Sequence, residues 1–427
     1  MARLGAFCFP GTGHINPMTA LARRLEQRGH SVVIFGVADM EARVRAAGID
    51  FWLIGQQDYP LGTLPRLDHQ LGALDGIAAM RFTMNRITDT ARMVLRDGLD
   101  AVRQSKVEAL LVDEVDMSNN IAEYLGMPFI SLALIPPMVP DNRYPPFYFG
   151  WSGNQQWWAR LRNGIAIRVL TRVAKPLFDT INEWRAALGM KEGRDPGEGL
   201  SKLAQITQLP RALEFDVEPL PPHLYYTGPF VDPAQRPAME FPWERLDGRP
   251  VVYASLGTLQ NRASGLFKAI AEACAGMHVQ LVIALGGGLE PELLGPLSGD
   301  PVVVKYAPQL ELVKSATVVI THAGINTALE SLAEGVPLVC IPQGNDQPGV
   351  AARVVAHGAG VLVPRGKANA KRLRAALRKV LEDTSYRQAA RKLQAAMAEV
   401  DGLELAADIV EEALKIGKRK GAAASAD

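Results

Sequence analysis

The stretch that decides the fold runs from residue 306 to residue 364: YAPQLELVKSATVVITHAGINTALESLAEGVPLVCIPQGNDQPGVAARVVAHGAGVLVP. In it the short apolar runs ATVVIT, PLVCIP and GVLVP alternate with segments that have the periodicity of helices. Strands that alternate with helices pair in parallel, because a parallel pair needs a long crossover between its strands. The stretch therefore predicts part of a doubly wound parallel sheet, with glycine and polar residues after each strand.

The same alternation continues outside this stretch. VVYASLG, VQLVIALGGG and PVVVK precede it, and GAFCF, SVVIFG, FWLIG, EALLV and PFISLAL follow one another in the first 135 residues. A segment rich in proline and glycine at 228–250 separates the two sets and is the best candidate for a linker. We predict an α/β fold of two Rossmann-like, doubly wound parallel-sheet domains that face each other across a cleft, at 1–235 and 236–400.

Composition excludes several classes of protein. The 427 residues include 46 Lys plus Arg and 45 Asp plus Glu, and this net charge of +1 gives no reason to expect nucleic-acid binding or bulk binding to acidic membranes. Hydrophobic residues make up 48% of the chain, which excludes disorder for most of it. No apolar run approaches the roughly 18–20 residues of a transmembrane segment. Three scattered cysteines fit a reducing compartment, so we expect a cytoplasmic protein.

The residues after the first strand and near position 150 exclude further enzyme classes. GTGHIN is not a dinucleotide fingerprint, because Asn16 stands where the third glycine is needed. We expect Asn16 to cap the first helix, with Pro17 at its first position. GWSGN lacks the final glycine of a nucleophile elbow, since residue 154 is Asn154. The sequence contains neither a P-loop nor a D-x-D metal-binding pattern, which weakens ATPase and metal-dependent sugar-transfer functions.

Several spaced motifs together resemble the UDP-glycosyltransferase family, whose fold is called GT-B. They are APQ at 307–309, THAG-x-NT at 321–327, Glu330, GVP at 335–337, Asp346-Gln347, GTGHINP at 11–17 and SLGT at 255–258. The resemblance covers nearly the whole chain, and DQPGVAARV and PGTGHINPM are most similar to bacterial zeaxanthin glucosyltransferases and related enzymes for lipophilic acceptors.

The resemblance also implies an organisation of the chain. It implies that 1–235 binds the acceptor, that 236–400 binds the UDP-sugar without a metal or other cofactor, and that a helix at 401–416 returns to the N-terminal domain. The polar, basic residues 417–427 are expected to form a flexible tail.

The residues after the predicted strands fit a donor site of this kind. A strand that ends at His322, Ala323 and Gly324 and continues into a helix directs free backbone N–H groups at an anion, so a diphosphate can approach closely. Asn326 and Thr327 lie in the first helical turn, where their side chains can bond to phosphate oxygens.

The resemblance assigns further roles to residues of the same stretch. Glu330 accepts from the ribose hydroxyls, Tyr306 stacks on uracil where plant enzymes carry Trp, and the backbone of Ala307 bonds to the uracil edge. The remaining predicted donor-binding residues are Gln309 near the ribose, Asp346 and Gln347 on the sugar hydroxyls, and Gly13, Gly257 and Thr258. Ile325 departs from the Trp of the plant enzymes and leaves the sugar less defined.

His14 and Asp113 are the catalytic candidates. Asp113 comes 99 positions after His14, and each residue follows a predicted strand. A single His or Asp in such a place is more often structural, but the pair resembles the His–Asp dyad of the family in spacing and context. In that dyad the histidine is the general base and the aspartate fixes its tautomer. Asp116 is the nearest competitor, and we expect it to cap the next helix.

The predicted activity is the inverting transfer of a hexose, glucose first, from a UDP-sugar to a hydroxyl of a lipophilic phenolic, carotenoid or polyketide. Two features motivate the acceptor: the methionine-rich segment at 77–95 and an aromatic cluster. The cluster contains Tyr144, Phe147, Tyr148, Phe149, Trp151, Trp157 and Trp158. Plain core packing explains these side chains equally well.

Three alternatives stay open from the sequence. A dTDP-sugar-dependent antibiotic glycosyltransferase, a UDP-sugar epimerase and a non-catalytic UDP-sugar-binding protein all fit the same fold. The His14–Asp113 pair argues against the last two, because neither an epimerase nor a scaffold needs it.

Overall fold

The structure is a computed structural model that describes residues 1–74, 76–193, 196–236, 239–258 and 263–416. The predicted tail at 417–427 lies outside the described residues. Two separate parallel sheets form the scaffold, which confirms the predicted α/β fold class. Of the helices in the described ranges, none has the length and apolar character needed to cross a membrane.

Seven parallel strands form the N-terminal sheet: β1 (Arg3–Phe7), β2 (Ser31–Gly36), β3 (Asp50–Leu53), β4 (Ala109–Asp113), β5 (Phe129–Ala133), β6 (Gln205–Thr207) and β7 (Leu224–Tyr226). The helices of this domain are α1 (Thr12–Gln27), α2 (Ala38–Ala46), α3 (Thr63–Gly72), α4 (Gly76–Ser105), α5 (Asn119–Leu125), α6 (Trp157–Val173) and α7 (Lys175–Ala187). Helices cover both faces of the central strands, so these strands are continuous apolar runs rather than alternating ones.

Six parallel strands form the C-terminal sheet: β8 (Val251–Ser255), β9 (Gln280–Ala284), β10 (Val302–Val304), β11 (Ala316–Thr321), β12 (Leu338–Cys340) and β13 (Gly360–Leu362). The helices that follow in the chain are α8 (Ser264–Cys274), α9 (Gln309–Ser315), α10 (Ile325–Ala333), α11 (Gln347–Ala356), α12 (Ala370–Glu382), α13 (Thr384–Ala398) and α14 (Gly402–Leu414).

The strand order places one switch point in each sheet. The N-terminal sheet has the order β3-β2-β1-β4-β5-β6-β7, so the winding reverses between β1 and β4. The C-terminal sheet has the order β10-β9-β8-β11-β12-β13 and reverses between β8 and β11. Ligands of doubly wound sheets bind beyond the carboxyl ends of the strands at such a point, because the flanking loops diverge there and leave a crevice.

Helix α14 packs against α1 of the N-terminal domain. Its buried Leu403, Ala406 and Val410 belong to the apolar core around the first sheet. Arg28, just after α1, donates to Glu404 at 2.8 Å and to Glu411 at 2.7 Å. The buried apolar face and the partly buried ion pair of Arg28 with Glu411 together hold α14 against α1.

The two domains are joined by a fully buried ion pair. Nε of Arg353, on α11, donates to Oε1 of Glu214 at 2.8 Å, and Nη2 donates to Oε2 at 3.0 Å. The Arg353 guanidinium also lies 4.6 Å from the ring centroid of Phe215. Both charged side chains are almost inaccessible to water, so each depends on the other for compensation.

Helix α1 begins earlier than the sequence indicates. The N-cap residue is Gly11, the helix starts at Thr12, and Pro17 lies inside it, so the expectation that Asn16 caps the helix is wrong. Pro17 has no N–H to donate to the carbonyl of Gly13 one turn before it. That carbonyl instead accepts a hydrogen bond of 2.9 Å from the side chain of Asn326 in the other domain.

Replacing Arg353 with Met should destabilise the protein by about 3–5 kcal/mol, because it leaves the carboxylate of Glu214 buried without compensation. Urea denaturation followed by circular dichroism measures this loss. The matched control is Arg45→Met, which breaks an exposed pair with Glu41 on α2 and should cost about 0.5 kcal/mol or less. Equal denaturation curves for the two variants would contradict the buried pair's structural role.

Candidate active site

His14 and Asp113 meet at the switch point of the N-terminal sheet. Asp113 ends β4 and is completely buried, and Oδ2 lies 2.6 Å from Nδ1 of His14 in the first turn of α1. The backbone N–H groups of Phe9 and Val115 donate to the same carboxylate at 3.1 and 3.2 Å. A carboxylate can only accept, so Nδ1 of His14 donates and Nε2 keeps its lone pair for another proton.

The surroundings favour the protonated form of His14. Burial alone would lower the pKa of His14, but the charge and hydrogen bond of Asp113 outweigh it and raise the pKa above its ordinary value of 6.5. Asp346 of the C-terminal domain raises it further, whereas Arg86 on α4 opposes the increase. The imidazole is therefore a stronger base than an isolated buried histidine.

Two other carboxyl groups lie close to Asp113 but bond elsewhere. Burial raises the pKa of Glu114 to about 8, and this side chain accepts from Gln205 at 2.6 Å. Burial raises the pKa of Asp116 to about 6. Asp116 accepts from the N–H of Ser118, and Ser118 is itself the N-cap residue of α5, so the expectation that Asp116 caps this helix is wrong.

The switch point of the C-terminal sheet forms a narrow cradle around His322. A Cβ atom at Gly257 or at Gly324 would collide with Nε2 of His322, so only glycine fits at these two positions. Burial lowers the pKa of His322 to about 4, which keeps the ring neutral. Gly324 is the N-cap residue of α10, and the first N–H groups of this helix have no acceptor within it. Thr258 is exposed at the edge of the cradle.

Glu330 lies one turn into α10 and is almost fully buried. Arg236 donates to its Oε1, and Nε2 of Gln309 donates to Oε2 at 2.5 Å. Gln309 also accepts from the hydroxyl of Tyr253 at 3.2 Å and lies 3.4 Å from the hydroxyl of Thr327. Burial raises the pKa of Glu330, and the charge of Arg236 opposes this effect.

Tyr306 and Ala307 lie beyond the carboxyl end of β10. The ring of Tyr306 is half-exposed, and a Cβ at Gly287 would collide with its hydroxyl group. Ala307 is partly buried against the core of the C-terminal domain. The structure thus presents an open aromatic face above the same sheet edge that carries Gln309 and Glu330.

Asp346, Gln347 and Asn326 lie where the two domains meet. Burial raises the pKa of Asp346 to about 6, and the charge of His14 opposes this effect. Oε1 of Gln347 accepts from the N–H of Gln343 at 2.8 Å and holds the loop before α11. The side chain of Asn326 donates to the carbonyl of Gly13 and accepts from Gln208 at 3.0 Å, so it spans the cleft.

A large apolar cavity of about 1170 Å³ occupies the N-terminal domain between α4, α6, α7 and the loop at 135–148. Met80, Met84, Ile87, Phe147 and Tyr148 are among the residues of its wall. Burial and the charge of Asp346 raise the pKa of Tyr148 to about 12. Val115 also lines the cavity and its N–H donates to Asp113, so the cavity wall adjoins the buried carboxylate that contacts His14.

The aromatic cluster of the sequence separates into three groups. Tyr144, Phe147 and Tyr148 line the cavity. Phe149 and Trp151 stack on each other with ring centroids 4.3 Å apart. Trp157 and Trp158 are exposed on α6 and belong to neither the core nor the cavity wall. The methionines of the segment at 77–95 also have two different surroundings: Met80 and Met84 line the cavity, whereas Met93 is buried in the core.

Several residues at the site carry no sequence motif. Arg236, Arg86, Gln208 and Arg353 reach it from the linker, from α4, from the loop after β6 and from α11. Only the folded path of the chain brings them there. Within the described ranges, no group of three or more His, Cys, Asp or Glu side chains could hold a metal ion.

The model of the UDP-glucoronosyl and UDP-glucosyl transferase family matches residues 77–407. The chain belongs to this family. It is therefore a glycosyltransferase that moves a sugar from a nucleotide-sugar to a small natural-product acceptor. Membership also decides against the epimerase and the non-catalytic binding protein.

Curated relatives and solved structures match this glycosyltransferase over nearly its full length. It is 30% identical to the zeaxanthin glucosyltransferase of Pantoea ananas, over 98% of this chain and 97% of that protein. It is 32% identical to the zeaxanthin glucosyltransferase of Pseudescherichia vulneris, over 95% and 96%. The crystal structure of the glycotransferase of kitacinnamycin has a TM-score of 0.77 at 24% identity and covers 97% of this chain and 99% of that one.

Replacing Asp113 with Asn should move the acid limb of the pH profile of kcat/KM to lower pH. Asp113 raises the pKa of His14, so without its charge burial dominates and the imidazole loses its proton at a lower pH. A protonated His14 cannot accept a proton, so the acid limb should follow the pKa of His14 if this residue is the general base. Initial rates over the acid and neutral range measure the shift.

The control for this prediction is Asp116→Asn. It changes a buried carboxyl group of the same loop that bonds to Ser118 and not to His14, so its limb should stay in place. A limb that does not move in Asp113→Asn would show that another group controls the profile.

Proposed function

We propose that this glycosyltransferase transfers a hexose, glucose first, from a UDP-sugar to a hydroxyl of a lipophilic small molecule, with inversion at the anomeric carbon. The observation that carries the proposal is the contact between His14 and the buried Asp113 beside a cavity of about 1170 Å³ with mostly apolar walls. The two zeaxanthin glucosyltransferases named above support glucose as the sugar and a carotenoid-like acceptor.

In the proposed mechanism, Nε2 of His14 takes the proton from the acceptor hydroxyl while the oxygen attacks the anomeric carbon. Asp113 holds the Nδ1–H tautomer and stabilises the imidazolium that forms. The bond to the diphosphate breaks on the opposite face of the sugar. The positive end of α10 and the neutral ring of His322 stabilise the negative charge that develops on the leaving diphosphate.

The nucleotide and the sugar then occupy the carboxyl edge of the C-terminal sheet. We assign the ribose hydroxyls to Glu330 with Gln309, and the uracil to the half-exposed ring of Tyr306 and the backbone of Ala307. Asp346 and Gln347 receive the sugar hydroxyls, and Asn326 of the neighbouring helix α10 contacts Gly13 beside the proposed base. The ribose must share Glu330 with Arg236 or displace it.

Replacing His14 with Ala should lower kcat by about 10²–10⁴-fold, the usual contribution of a general base. Transfer of glucose from UDP-glucose to a phenol is followed by mass spectrometry, and NMR of the product reports the anomeric configuration. His69→Ala, at the end of α3, is the matched control and should leave the rate unchanged. Undiminished transfer by His14→Ala, or retention of configuration, would refute the mechanism.

Replacing Glu330 with Ala should weaken UDP binding by about 1–3 kcal/mol, because the ribose hydroxyls lose their acceptor in a nearly buried place. Titration calorimetry with UDP and with 2′-deoxyuridine diphosphate measures both affinities. The wild type should prefer UDP, which has one more hydroxyl for Glu330, and the variant should lose that preference. Equal affinities of the wild type for the two nucleotides would place the ribose elsewhere.

Lipophilic acceptors should exceed a polar monosaccharide by at least about tenfold in kcat/KM, which corresponds to about 1.4 kcal/mol. The reason is the apolar wall formed by Met80, Met84, Ile87 and Phe147. A phenol, a long-chain alcohol and a monosaccharide are compared with the same donor. A preference for the monosaccharide would assign these side chains to packing alone and point to a sugar-polymer substrate.

A further inference from the structure

Helix α6 carries an unusual exposed apolar stripe. Trp157, Leu161, Ile165 and Val169 are 75%, 55%, 52% and 48% exposed, although each is a large hydrophobic side chain. At 3.6 residues per turn, this spacing of four places them within about 120° of one side of the helix. The buried residues of α6, which are Ala159, Asn163 and Ala166, lie on the opposite side. Water is a poor partner for such a stripe, so it marks an interaction surface.

The charges on α6 are all positive. Its 17 residues include Arg160, Arg162, Arg168 and Arg172 and no acidic residue. By the same helical spacing, Arg168 and Arg172 lie within the apolar stripe, and Arg160 and Arg162 flank it. The Arg162 guanidinium lies 4.1 Å from the ring centroid of Trp151 and 5.6 Å from that of Trp158. The acidic group nearest in the following helix, Asp179, is paired with Lys175.

The inner side of α6 forms part of the wall of the large cavity. Ile167, Leu170 and Thr171 face into it. Met80 and Leu203 also line the cavity and are partly exposed at the surface of the protein. One helix thus separates an apolar cavity from an exposed surface that is both apolar and basic.

We propose that α6 lies on an anionic lipid bilayer, with Trp157, Leu161, Ile165 and Val169 in the interface and its arginines on the lipid headgroups. Exposed tryptophan and aliphatic side chains beside arginines are residue types that interfacial helices use. Arginine stems lie along apolar surface while their guanidinium groups reach phosphate, so Arg168 and Arg172 suit positions inside the stripe. The net charge of +1 for the whole chain does not oppose this, because surface potentials act within about 10 Å.

Charge argues against a second copy of the chain as the partner. In a two-fold symmetric contact the same surface would face itself, so the four arginines of each α6 would meet four others with no acidic residue on the helix to compensate. An anionic bilayer offers phosphate groups to Arg168 and Arg172, which lie within the exposed stripe. The surface is therefore better matched to lipid than to itself.

This surface gives the acceptor cavity a direct source of lipophilic molecules, and that part of the inference rests on the proposed function. An acceptor dissolved in the bilayer would enter beside α6 without crossing water. Binding to the bilayer itself is independent of any transfer reaction and is measured without it.

The test is flotation of the full chain with vesicles of phosphatidylcholine alone and of phosphatidylcholine with phosphatidylglycerol. The wild type should float with the phosphatidylglycerol vesicles at least tenfold more than with the neutral ones, and added salt should weaken this binding. Leu161→Glu with Ile165→Glu should abolish it, and Arg168→Gln with Arg172→Gln should remove the lipid preference. The matched control is Leu293→Glu with Val400→Glu, which adds the same charges to exposed apolar positions elsewhere. The fraction of this control that floats with phosphatidylglycerol vesicles should stay within twofold of the wild-type fraction.

Circular dichroism verifies that each variant is folded. If Leu161→Glu with Ile165→Glu does not fold, the loss of lipid preference in Arg168→Gln with Arg172→Gln tests the proposal instead. A wild type that does not float with phosphatidylglycerol vesicles would overturn the proposal. So would glutamate and control variants that float equally. A wild-type dimer in light scattering that the glutamate variant converts to a monomer, without vesicle binding, would assign α6 to self-association and overturn it as well.

The delivery step has its own readout. A long-chain alcohol is supplied either inside phosphatidylglycerol vesicles or in detergent micelles, and a water-soluble phenol serves as reference acceptor. With the alcohol supplied in vesicles, the glutamate variant should transfer sugar at least tenfold more slowly than the wild type. With the alcohol in micelles, or with the phenol, the two rates should be equal. Equal losses from vesicles and micelles would overturn delivery, whereas no transfer to any acceptor by the wild type would refute the proposed function and leave the flotation result standing.

Discussion

The hydrogen bond between His14 and the buried carboxylate of Asp113 constrains much of the N-terminal domain. A carboxylate without access to water is stable only when donors surround it. Phe9 donates from the loop after β1, His14 from the first turn of α1 and Val115 from the loop after β4, which is possible because β1 and β4 are neighbours in the sheet. The strand order that creates the switch point therefore also positions the proposed base, and its two groups lie 2.6 Å apart although they are 99 positions apart in the sequence.

A second set of contacts connects the proposed base to the proposed donor site on the other side of the cleft. Asn326 stands in the first turn of α10, where the diphosphate is proposed to bind, and its side chain holds the carbonyl of Gly13 next to His14. This carbonyl is available because Pro17 cannot donate to it. The buried pair of Arg353 and Glu214 holds the domains together at another point of the interface. A shift between the domains would disturb both contacts, so these contacts fix the distance between the proposed base and the proposed diphosphate site.

The sequence predicted the scaffold and many candidate residues because these depend on local signals. Apolar runs mark strands, and glycines mark places such as Gly257 and Gly324 where a neighbouring ring leaves no room for a Cβ. The start of α1 was wrong, because the Asn16-Pro17 pair has the chemistry of a helix start and only the fold shows that the helix is already formed there. Arg236 on Glu330 could not be predicted, since this contact depends on the path of the linker across the second domain. The roles of the candidate residues stay predictions.

Helix α6 shows why composition and periodicity leave such surfaces undetermined. Its Trp157 and Trp158 fitted core packing or an acceptor pocket equally well, because periodicity gives the separation of faces but not what covers each of them. The fold assigns Ile167 and Leu170 to the cavity and leaves Leu161 and Ile165 exposed. The net charge of +1 does not reveal the four arginines of α6, because acidic residues elsewhere in the 427-residue chain balance them in the total. No acidic residue of α6 itself balances them at its surface. For the proposed binding of α6 to an anionic bilayer, the local charge beside the cavity is the physically relevant quantity, because charges in solution are screened beyond about 10 Å and the sum over the whole chain therefore does not act at that surface.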